Sequence, residues 1–276
     1  MYKHIKMIAF DLDGTLLNSE KQISNRTWEA IKKAAEQGVV VLPATGRPLG
    51  ALPKELRECP DISYAVTANG ARVVNTKTGE AVFQSAVSVE TALEILKIFE
   101  DYDCHQEAFV DGVSYASVAH KHELEDYFEH NSMAEYIRKS RTFVDRVSDK
   151  VKECGKPLEK VQAFFRHDAD FEHAKGRLDQ IEGIVLTSAM KNNWEANKAG
   201  TDKGNALLGL GEILGIKREE IMAFGDGMND YAMIQKVGVG VVMENGTEEL
   251  KKIADYITVS NDDDGVAEVI ERMVLC

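Results

Sequence analysis

The chain has 276 residues, 44% hydrophobic and 29% charged, which is enough for one large domain or two modest ones with a sizeable core. Its formal net charge of -13 at pH 7 disfavours binding to nucleic acid or to anionic membranes. The sequence shows no zinc-site or disulfide spacing, no signal peptide and no membrane-spanning apolar run. We therefore expect a cytoplasmic protein with reduced thiols.

The N-terminal segment alternates between strand and helix patterns. Met7–Phe10 is a short apolar run, Ser24 can cap a helix that ends near Gly38, and Val39–Leu42 is continuously apolar. A strand, a helix and a second strand in this order form the unit of a parallel α/β sheet.

The C-terminal segment repeats the same alternation. Its predicted elements are a helix over Lys203–Leu214, a strand over Ile221–Phe224, a helix over Asp230–Lys236, a strand over Val237–Met243, a helix over Thr247–Ala254, a strand over Tyr256–Val259 and a helix over Gly265–Val274.

The middle of the chain differs from both ends. Asp111-Gly112 favours a hairpin turn between Cys104–Val110 and Val113–Val118. Other predicted elements are strands over Val161–Phe165 and Ile184–Thr187 and helices over Val89–Tyr102, His120–Phe128 and Asp168–Ile181. We therefore predict an α/β protein, with a Rossmann-like parallel-sheet core domain (residues 1–83 and 189–276) and an inserted α+β cap domain (residues 84–188).

Two carboxylates follow the first strand, in Asp11-Leu12-Asp13-Gly14-Thr15. Ligands of open parallel sheets bind at the carboxyl ends of strands, so a site is expected here. Asp11 can attack phosphorus, and Asp13 can protonate the leaving oxygen and later activate water. Their like charges call for a cation, for which Mg²⁺ with its oxygen ligands is the natural choice. The alternative interpretation is a polar loop with an Asx-turn.

Two further segments offer positive charge and backbone N–H groups. Thr45-Gly46-Arg47 follows the second strand and can grip a phosphate oxygen, although alone it also fits an ordinary loop with a solvated arginine. Lys203 stands at a helix start, where the macrodipole disfavours a cation. That position indicates a partner such as a phosphate or Asp11; otherwise Lys203 is a solvated lysine.

The fourth segment is Gly225-Asp226-Gly227-Met228-Asn229-Asp230. Asp226 is placed to bind Mg²⁺, Asn229 to bond to phosphate or to the carboxylates, and Asp230 to orient a metal-bound water or Lys203. The alternative is a glycine-rich turn in which Asp230 only caps a helix. Two other clusters predict no site: His120 and His122 do not share a helical face, and Asp262-Asp263-Asp264 favours a solvated turn.

In their order along the chain, DLDGT, TGR, DKG and FGDGMND resemble motifs I to IV of the haloacid dehalogenase superfamily. VTANGA (Val66–Ala71) and ADYITVSNDDDGVAEVI (Ala254–Ile270) are similar to its Cof-type, sugar-phosphatase-like branch. The insertion resembles the type C2B cap of that branch. Trp194–Lys198 and Val242–Gly246 depart from the branch's usual segments, which bears on substrate preference.

The resemblance implies a role for each motif residue. Asp11 would be the nucleophile and a Mg²⁺ ligand, Asp13 the acid/base and a ligand through its backbone carbonyl, and Asp226 the third protein ligand. Asp230 would support the metal shell. The phosphoryl group would be held by the backbone around Leu12, Thr45, Gly46, Lys203 and Asn229, with Arg47 near the substrate.

The resemblance therefore implies a Mg²⁺-dependent phosphatase for a small phosphorylated metabolite, such as a sugar phosphate or a cofactor-type phosphate, with a cap that excludes bulk water. Two alternatives stay open: a phosphotransferase or mutase with the same aspartyl-phosphate, and a non-catalytic metabolite-binding protein. A dehalogenase is disfavoured, because its chemistry needs neither the Asp13 acid nor Mg²⁺. No nucleic-acid, membrane or obligate protein partner is expected.

Overall fold

The computed structural model describes residues 4–128, 131–188 and 190–275, and the chain divides into two compact units. The first unit runs up to Gln84 and resumes at Asp202, and the second is Ser85–Thr201. The second unit extends past the predicted boundary at residue 188, because a strand over Asn193–Lys198 pairs with its sheet. Among the described residues, no helix is both long and apolar enough to cross a membrane.

Strands and helices alternate over most of the chain. The strands are β1 (Met7–Phe10), β2 (Val40–Pro43), β3 (Tyr64–Thr67), β4 (Arg72–Asn75), β5 (Ala81–Gln84), β6 (Cys104–Val110), β7 (Val113–Ser117), β8 (Thr142–Val144), β9 (Lys160–Phe165), β10 (Ile184–Thr187), β11 (Asn193–Lys198), β12 (Ile221–Gly225), β13 (Val239–Val242) and β14 (Tyr256–Ile257). The helices are α1 (Asn25–Glu36), α2 (Lys54–Arg57), α3 (Val89–Phe99), α4 (Asn131–Ser140), α5 (Val147–Cys154), α6 (Asp168–Leu178), α7 (Lys203–Leu214), α8 (Tyr231–Lys236), α9 (Glu248–Lys251) and α10 (Gly265–Met273).

A five-stranded parallel sheet, in the order β14-β13-β12-β1-β2, forms the centre of the first unit. Side chains alternate along β1: Ile8 and Phe10 pack with α1 and α10, whereas Met7 and Ala9 pack with α7 and α8 on the other face. Both faces are therefore covered, which explains why the strands read as continuous apolar runs. The predicted Rossmann-like core is confirmed.

A small antiparallel sheet, β3-β4-β5, lies beside this parallel sheet. A parallel bridge between Ala44 and Val66 sets β3 next to β2. The carboxyl ends of β12, β1, β2 and β3 consequently lie along one edge, where the loops after these strands meet.

The second unit is an α+β structure around a six-stranded sheet in the order β10-β11-β9-β6-β7-β8. Its neighbouring strands are antiparallel except for the parallel pair β7 and β8. Helices α3, α5 and α6 contribute Leu96, Val151 and Ala174 to the core against one face of the sheet. Asp111 and Gly112, with φ of 52° and 76°, form the predicted hairpin turn between β6 and β7.

One predicted element of this unit is wrong. His120–Phe128 is not a helix but two short 3-10 turns, Val118–His120 and Leu124–Asp126. Tyr127 packs in a small apolar cluster with Ile137 of α4. The apolar spacing that favoured a helix is therefore explained by turns that pack against α4. Helices α4 and α5 and strands β8 and β11 of this unit were not predicted.

Candidate active site

A buried lysine, Lys203, links Asp11 of the first motif to Asp230 of the fourth. Asp11 follows β1, and Lys203 is the first residue of α7, whose N-cap is Asp202. Lys203 Nζ donates to Asp11 Oδ1 at 2.6 Å and to Asp230 Oδ1 at 2.7 Å. The side chain of Lys203 is fully buried, so its charge is balanced by these two partners and not by water.

Burial and charge set the protonation of this trio. Burial raises the pKa of Asp11 to about 7, although the Lys203 ammonium acts in the opposite direction. Burial also disfavours the charged form of Lys203, but Asp11 and Asp230 outweigh it and hold the lysine pKa above its usual value. Lys203 is therefore a fixed positive charge against Asp11.

The loop after β12 presents a third carboxylate, Asp226. Its Oδ1 accepts a hydrogen bond from Thr15 Oγ1 at 2.7 Å. Asp230 folds back on the same loop, where its Oδ2 accepts from the backbone N–H of Asp226 at 3.0 Å and of Gly227 at 3.1 Å. Burial raises the pKa of Asp226 to about 6, and the bond from Thr15 opposes that rise. The loop is thus held in one shape by side chains that also line the site.

These carboxylates fit a divalent cation. Asp11, Asp226 and Asp230 each offer one oxygen, and the three oxygens lie within 4.8 Å of one another. The raised pKa values of Asp11 and Asp226 reflect buried negative charge that a cation would offset. Both oxygens of Asp230 already accept hydrogen bonds, which suits a supporting role behind the other two.

Gly14 makes room for Asp226. Its φ of 82° lies in the left-handed region, and a Cβ at this position would clash with the Asp226 carboxylate. Both the turn after Asp13 and the close approach of Asp226 therefore require glycine here.

The second carboxylate of the first motif, Asp13, is held by two cations. Arg47 Nε and Nη2 donate to Asp13 Oδ2 at 3.0 and 2.7 Å, Nη2 also reaches Oδ1 at 2.8 Å, and Lys21 Nζ lies 2.9 Å from Oδ1. Burial opposes ionisation of Asp13, but Arg47 and Lys21 outweigh it and hold its pKa below the usual value. Asp13 is therefore not among the three grouped carboxylates, and its side chain faces Arg47.

The loop after β2 presents a hydroxyl and a glycine at the same edge. Thr45 is buried, and its Oγ1 accepts from the Arg47 N–H at 3.2 Å, while Asn69 N donates to the Thr45 carbonyl at 3.0 Å. A Cβ on Gly46 would lie 2.9 Å from Asn69 Oδ1. The loop is thus packed tightly enough that its hydroxyl and N–H groups have set positions.

The two other positions predicted to bind phosphate lie in the loops after β1 and β12. The side chain of Leu12 is fully buried in the core under the sheet, which leaves only its backbone to face a ligand. Asn229 is exposed in the short turn Met228–Asp230, next to the other motif residues in sequence.

Sequence reasoning assigned no role to three residues of this edge, namely Thr15, Lys21 and Asn69. Thr15 and Asn69 stand inside segments that the family resemblance included, DLDGT and VTANGA, which is a signal that could have identified them. Lys21 carries no such signal, because a lone lysine in a polar loop is usually solvated.

The comparison with known proteins agrees with this geometry. The family model described as haloacid dehalogenase-like hydrolase matches residues 8–270. Phosphatase YwpJ of Bacillus subtilis is 28% identical over 98% of this chain and 100% of its own length. A 5-amino-6-(5-phospho-D-ribitylamino)uracil phosphatase of the same organism, YcsE, is 32% identical over 98% of this chain and 96% of its own length.

Solved structures agree as well. A haloacid dehalogenase-like hydrolase from Bacillus subtilis superimposes with a TM-score of 0.82 at 28% identity and covers 98% of this chain and 100% of its own. One from Bacteroides thetaiotaomicron gives 0.81 at 28% identity over 98% and 99%. The superfamily and its Cof-type branch, predicted from the motifs, are confirmed, and the cap type stays a prediction. The chain belongs to the haloacid dehalogenase-like hydrolases and is a phosphatase of that family.

Proposed function

We propose that this phosphatase hydrolyses small phosphomonoesters with Mg²⁺, through an aspartyl-phosphate formed on Asp11. The observation that carries the proposal is the 2.6 Å contact of Lys203 with Asp11, at the edge where Asp13 and Asp226 also lie. A buried ammonium beside the nucleophile offsets the negative charge that builds up as an anionic phosphate approaches a carboxylate.

In the first step Asp11 attacks phosphorus, and the bond from phosphorus to the ester oxygen breaks as Asp13 protonates that oxygen. Arg47 and Lys21 favour the ionised form of Asp13 in the free protein. A bound phosphate dianion places negative charge near Asp13 and also competes with Asp13 for the positive charge of Arg47. Both effects raise the pKa of Asp13 in the complex. In the second step the ionised Asp13 takes a proton from water, which attacks the aspartyl-phosphate and releases phosphate.

Mg²⁺ would be held by Asp11, by Asp226 and by the backbone carbonyl of Asp13, with Asp230 in support. When bound, it supplies positive charge that offsets the carboxylates and the phosphate oxygens. Lys203, the Thr45 hydroxyl and the backbone N–H groups near Leu12 and Gly46 are proposed to bind the phosphoryl group, with Asn229 joining them from the turn after β12.

For the substrate we propose a sugar phosphate or a cofactor-type phosphate. This choice is supported by relatives such as YcsE and YwtE of Bacillus subtilis, which are named 5-amino-6-(5-phospho-D-ribitylamino)uracil phosphatases. We further propose that the inserted unit, Ser85–Thr201, is a cap of the C2B type that selects the leaving group.

The first experiment pairs Asp11→Asn with Asp13→Asn. Wild-type protein and both variants are incubated with Mg²⁺ and a ³²P-labelled ester, and acid-quenched protein is counted for bound label. Asp11→Asn is expected to abolish turnover and labelling, because the nucleophile is lost. With a labelled ester whose leaving group needs little protonation, Asp13→Asn is expected to accumulate labelled protein with slow release of phosphate, because water is no longer activated.

Three outcomes decide against parts of the proposal. Wild-type turnover by Asp11→Asn would remove the covalent step. Activity unchanged by EDTA would remove the metal. Transfer of the label to a second sugar in preference to water would replace hydrolysis by phosphotransfer.

A further inference from the structure

The loop between β1 and α1 carries a lysine in an unusual backbone conformation. Lys21 has a φ of 62°, in the left-handed region that non-glycine residues rarely adopt. Its Nζ lies 2.9 Å from Asp13 Oδ1, an oxygen that Arg47 Nη2 also reaches at 2.8 Å, while Arg47 Nε and Nη2 bind Oδ2 of the same carboxylate. A strained residue persists only where surrounding contacts enforce it, and such residues concentrate at functional sites.

The contacts that enforce this conformation come first from within the loop Asn18–Gln22. The Asn18 side chain accepts from the backbone N–H groups of Glu20 at 3.1 Å and Gln22 at 2.8 Å. The Asn18 backbone completes the turn, because its N–H donates to the Gln22 carbonyl and its carbonyl accepts from the Lys21 N–H, both at 2.9 Å. Lys21 is therefore held at the end of a closed turn.

A second anchor comes from the opposite end of the chain. Asp262 accepts from Ser19 N at 2.7 Å and from Ser19 Oγ at 2.6 Å. The neighbouring Asn261 donates from its side chain to the Leu17 carbonyl at 2.8 Å. The aspartate-rich segment that the sequence predicts to be a solvated turn thus fixes the loop that carries Lys21.

We propose that Lys21 is a positioning residue for Asp13, and that the loop Asn18–Gln22, anchored by Asp262, fixes the position of Lys21. Lys21 and Arg47 together hold the carboxylate of Asp13 through both of its oxygens, so that it meets the ester oxygen in one orientation. This inference rests on the proposed function, in which Asp13 delivers a proton to that oxygen.

The alternative is an ordinary surface ion pair, since the side chain of Lys21 is 62% exposed. Such pairs contribute little, and their loss would not change the chemistry. The molecule contains a matched control: Lys6 is 57% exposed and lies 2.7 Å from Glu220, at the amino end of β1, away from Asp13.

The test compares Lys21→Met, Lys21→Arg, Asp262→Ala and Lys6→Met on two esters. One is p-nitrophenyl phosphate, whose leaving group needs little protonation; the other is the alkyl phosphate that the wild type hydrolyses best among sugar phosphates. kcat/KM reports the step in which Asp13 acts as acid. Misplaced Asp13 should lower kcat/KM for the alkyl ester by about tenfold or more and for p-nitrophenyl phosphate by much less.

Lys21→Met is expected to show this difference between esters, Asp262→Ala to show it more weakly, and Lys21→Arg to restore most of the alkyl-ester activity. Lys6→Met is expected to match the wild type on both esters. Thermal unfolding identifies variants that fail to fold.

The inference would be overturned if Lys21→Met lost activity equally on the two esters, lost none, or gained activity. The proposed function would stay intact in each of these cases, provided that the wild type is active. A wild type that hydrolyses neither ester would sink the proposed function itself, and the inference with it.

Discussion

At the scale of single residues, the site depends on how closely two loops approach each other. Gly14 and Asp226 belong to the loops after β1 and β12, and no side chain fits between them. Thr15 bridges the same gap by donating to Asp226 Oδ1 at 2.7 Å. The position of the proposed metal ligand Asp226 is therefore set by the backbone of the nucleophile loop.

Replacement of Gly14 by alanine tests this coupling. Gly14→Ala should displace the Asp226 carboxylate and raise the Mg²⁺ concentration for half-maximal phosphatase activity by about tenfold or more, as other changes behind metal ligands do. The measurement is a Mg²⁺ titration of the activity, together with the free energy of unfolding in urea.

Gly38→Ala is the control for backbone strain. Gly38 has a φ of 85°, close to that of Gly14, but no atom lies within 4 Å of a Cβ placed there. Both variants should lose about 1–2 kcal/mol of stability to the left-handed backbone, and only Gly14→Ala should lose metal affinity. Similar Mg²⁺ titrations for the two variants would mean that Asp226 is not positioned by this contact.

Three of the motif residues could be predicted from the sequence because they stand one or two residues beyond the carboxyl end of an apolar strand. Asp11, Thr45 and Asp226 follow β1, β2 and β12, so the fold itself brings them to one edge. Lys21 could not be predicted in this way. Its contact with Asp13 depends on a turn held by Asn18 and Asp262, and neither residue type nor spacing reveals that pairing.

At the scale of secondary-structure elements, the sheet of the second unit explains why strand β11 escapes sequence analysis. Along β11, Trp194 and Ala196 pack in the apolar core, whereas Asn193, Glu195 and Asn197 are buried on the other face. A strand with polar side chains on a buried face resembles a solvated strand or a loop in sequence. The parallel strands of the first unit, apolar on both faces, are recognised much more easily.

On the same sheet face, β6 contributes a buried ion pair. Glu107 is fully buried and accepts from Arg141 Nε at 3.0 Å and from Gln162 Nε2 at 2.6 Å. Burial alone would raise the pKa of Glu107, but Arg141 and His105 outweigh it and lower that pKa to about 2. Glu107 is therefore ionised at neutral pH, and its charge holds Arg141 inside the unit.

Glu107→Gln should destabilise the second unit by about 3–5 kcal/mol at neutral pH, because it leaves the Arg141 charge buried without its partner. The folded pKa lies below the reference value of 4.5, so this contribution is complete above about pH 4.5 and is lost as the pH falls toward about 2. The difference between wild type and variant should therefore shrink in acid. Urea unfolding followed by fluorescence of Trp194, in a Trp28→Phe background, measures it.

Glu125→Gln provides the matched control, since Glu125 pairs with Arg138 at 2.8 Å in the same unit but is 44% exposed. That change should have a much smaller effect, because solvent screens the pair. Equal effects of the two substitutions, or a difference at Glu107 that does not vary with pH, would contradict the role assigned to the buried pair.

At the scale of the whole molecule, the motif residues and the second unit occupy different parts of the chain. Asp11, Asp13, Lys203 and Asp226 all belong to the first unit. The second unit has a core of its own, and its ends are adjacent, since Ser85 Oγ lies 2.6 Å from Thr201 Oγ1. Adjacent ends are typical of a domain inserted into a host that can close without it.

We therefore expect that residues 85–201 can be replaced by a short Gly/Ser linker between Gln84 and Asp202 without loss of the parallel-sheet fold. The shortened protein should still hydrolyse p-nitrophenyl phosphate with Mg²⁺, because every group assigned to the reaction remains. It should discriminate poorly among sugar phosphates, because the proposed cap is gone. Circular dichroism checks the fold, and kcat/KM across a panel of esters checks the selectivity.

The shortened protein carrying Asp11→Asn separates this activity from a contaminating phosphatase, since hydrolysis that depends on the proposed chemistry must vanish in it. A shortened protein that is folded but inactive on p-nitrophenyl phosphate would show that the second unit supplies a group needed for the reaction itself. An unchanged ranking of the sugar phosphates would instead assign substrate selection to the first unit, where Arg47 is the charged side chain proposed to lie near the substrate. Because the fold and the ester panel are measured on the same protein, loss of structure cannot be mistaken for either result.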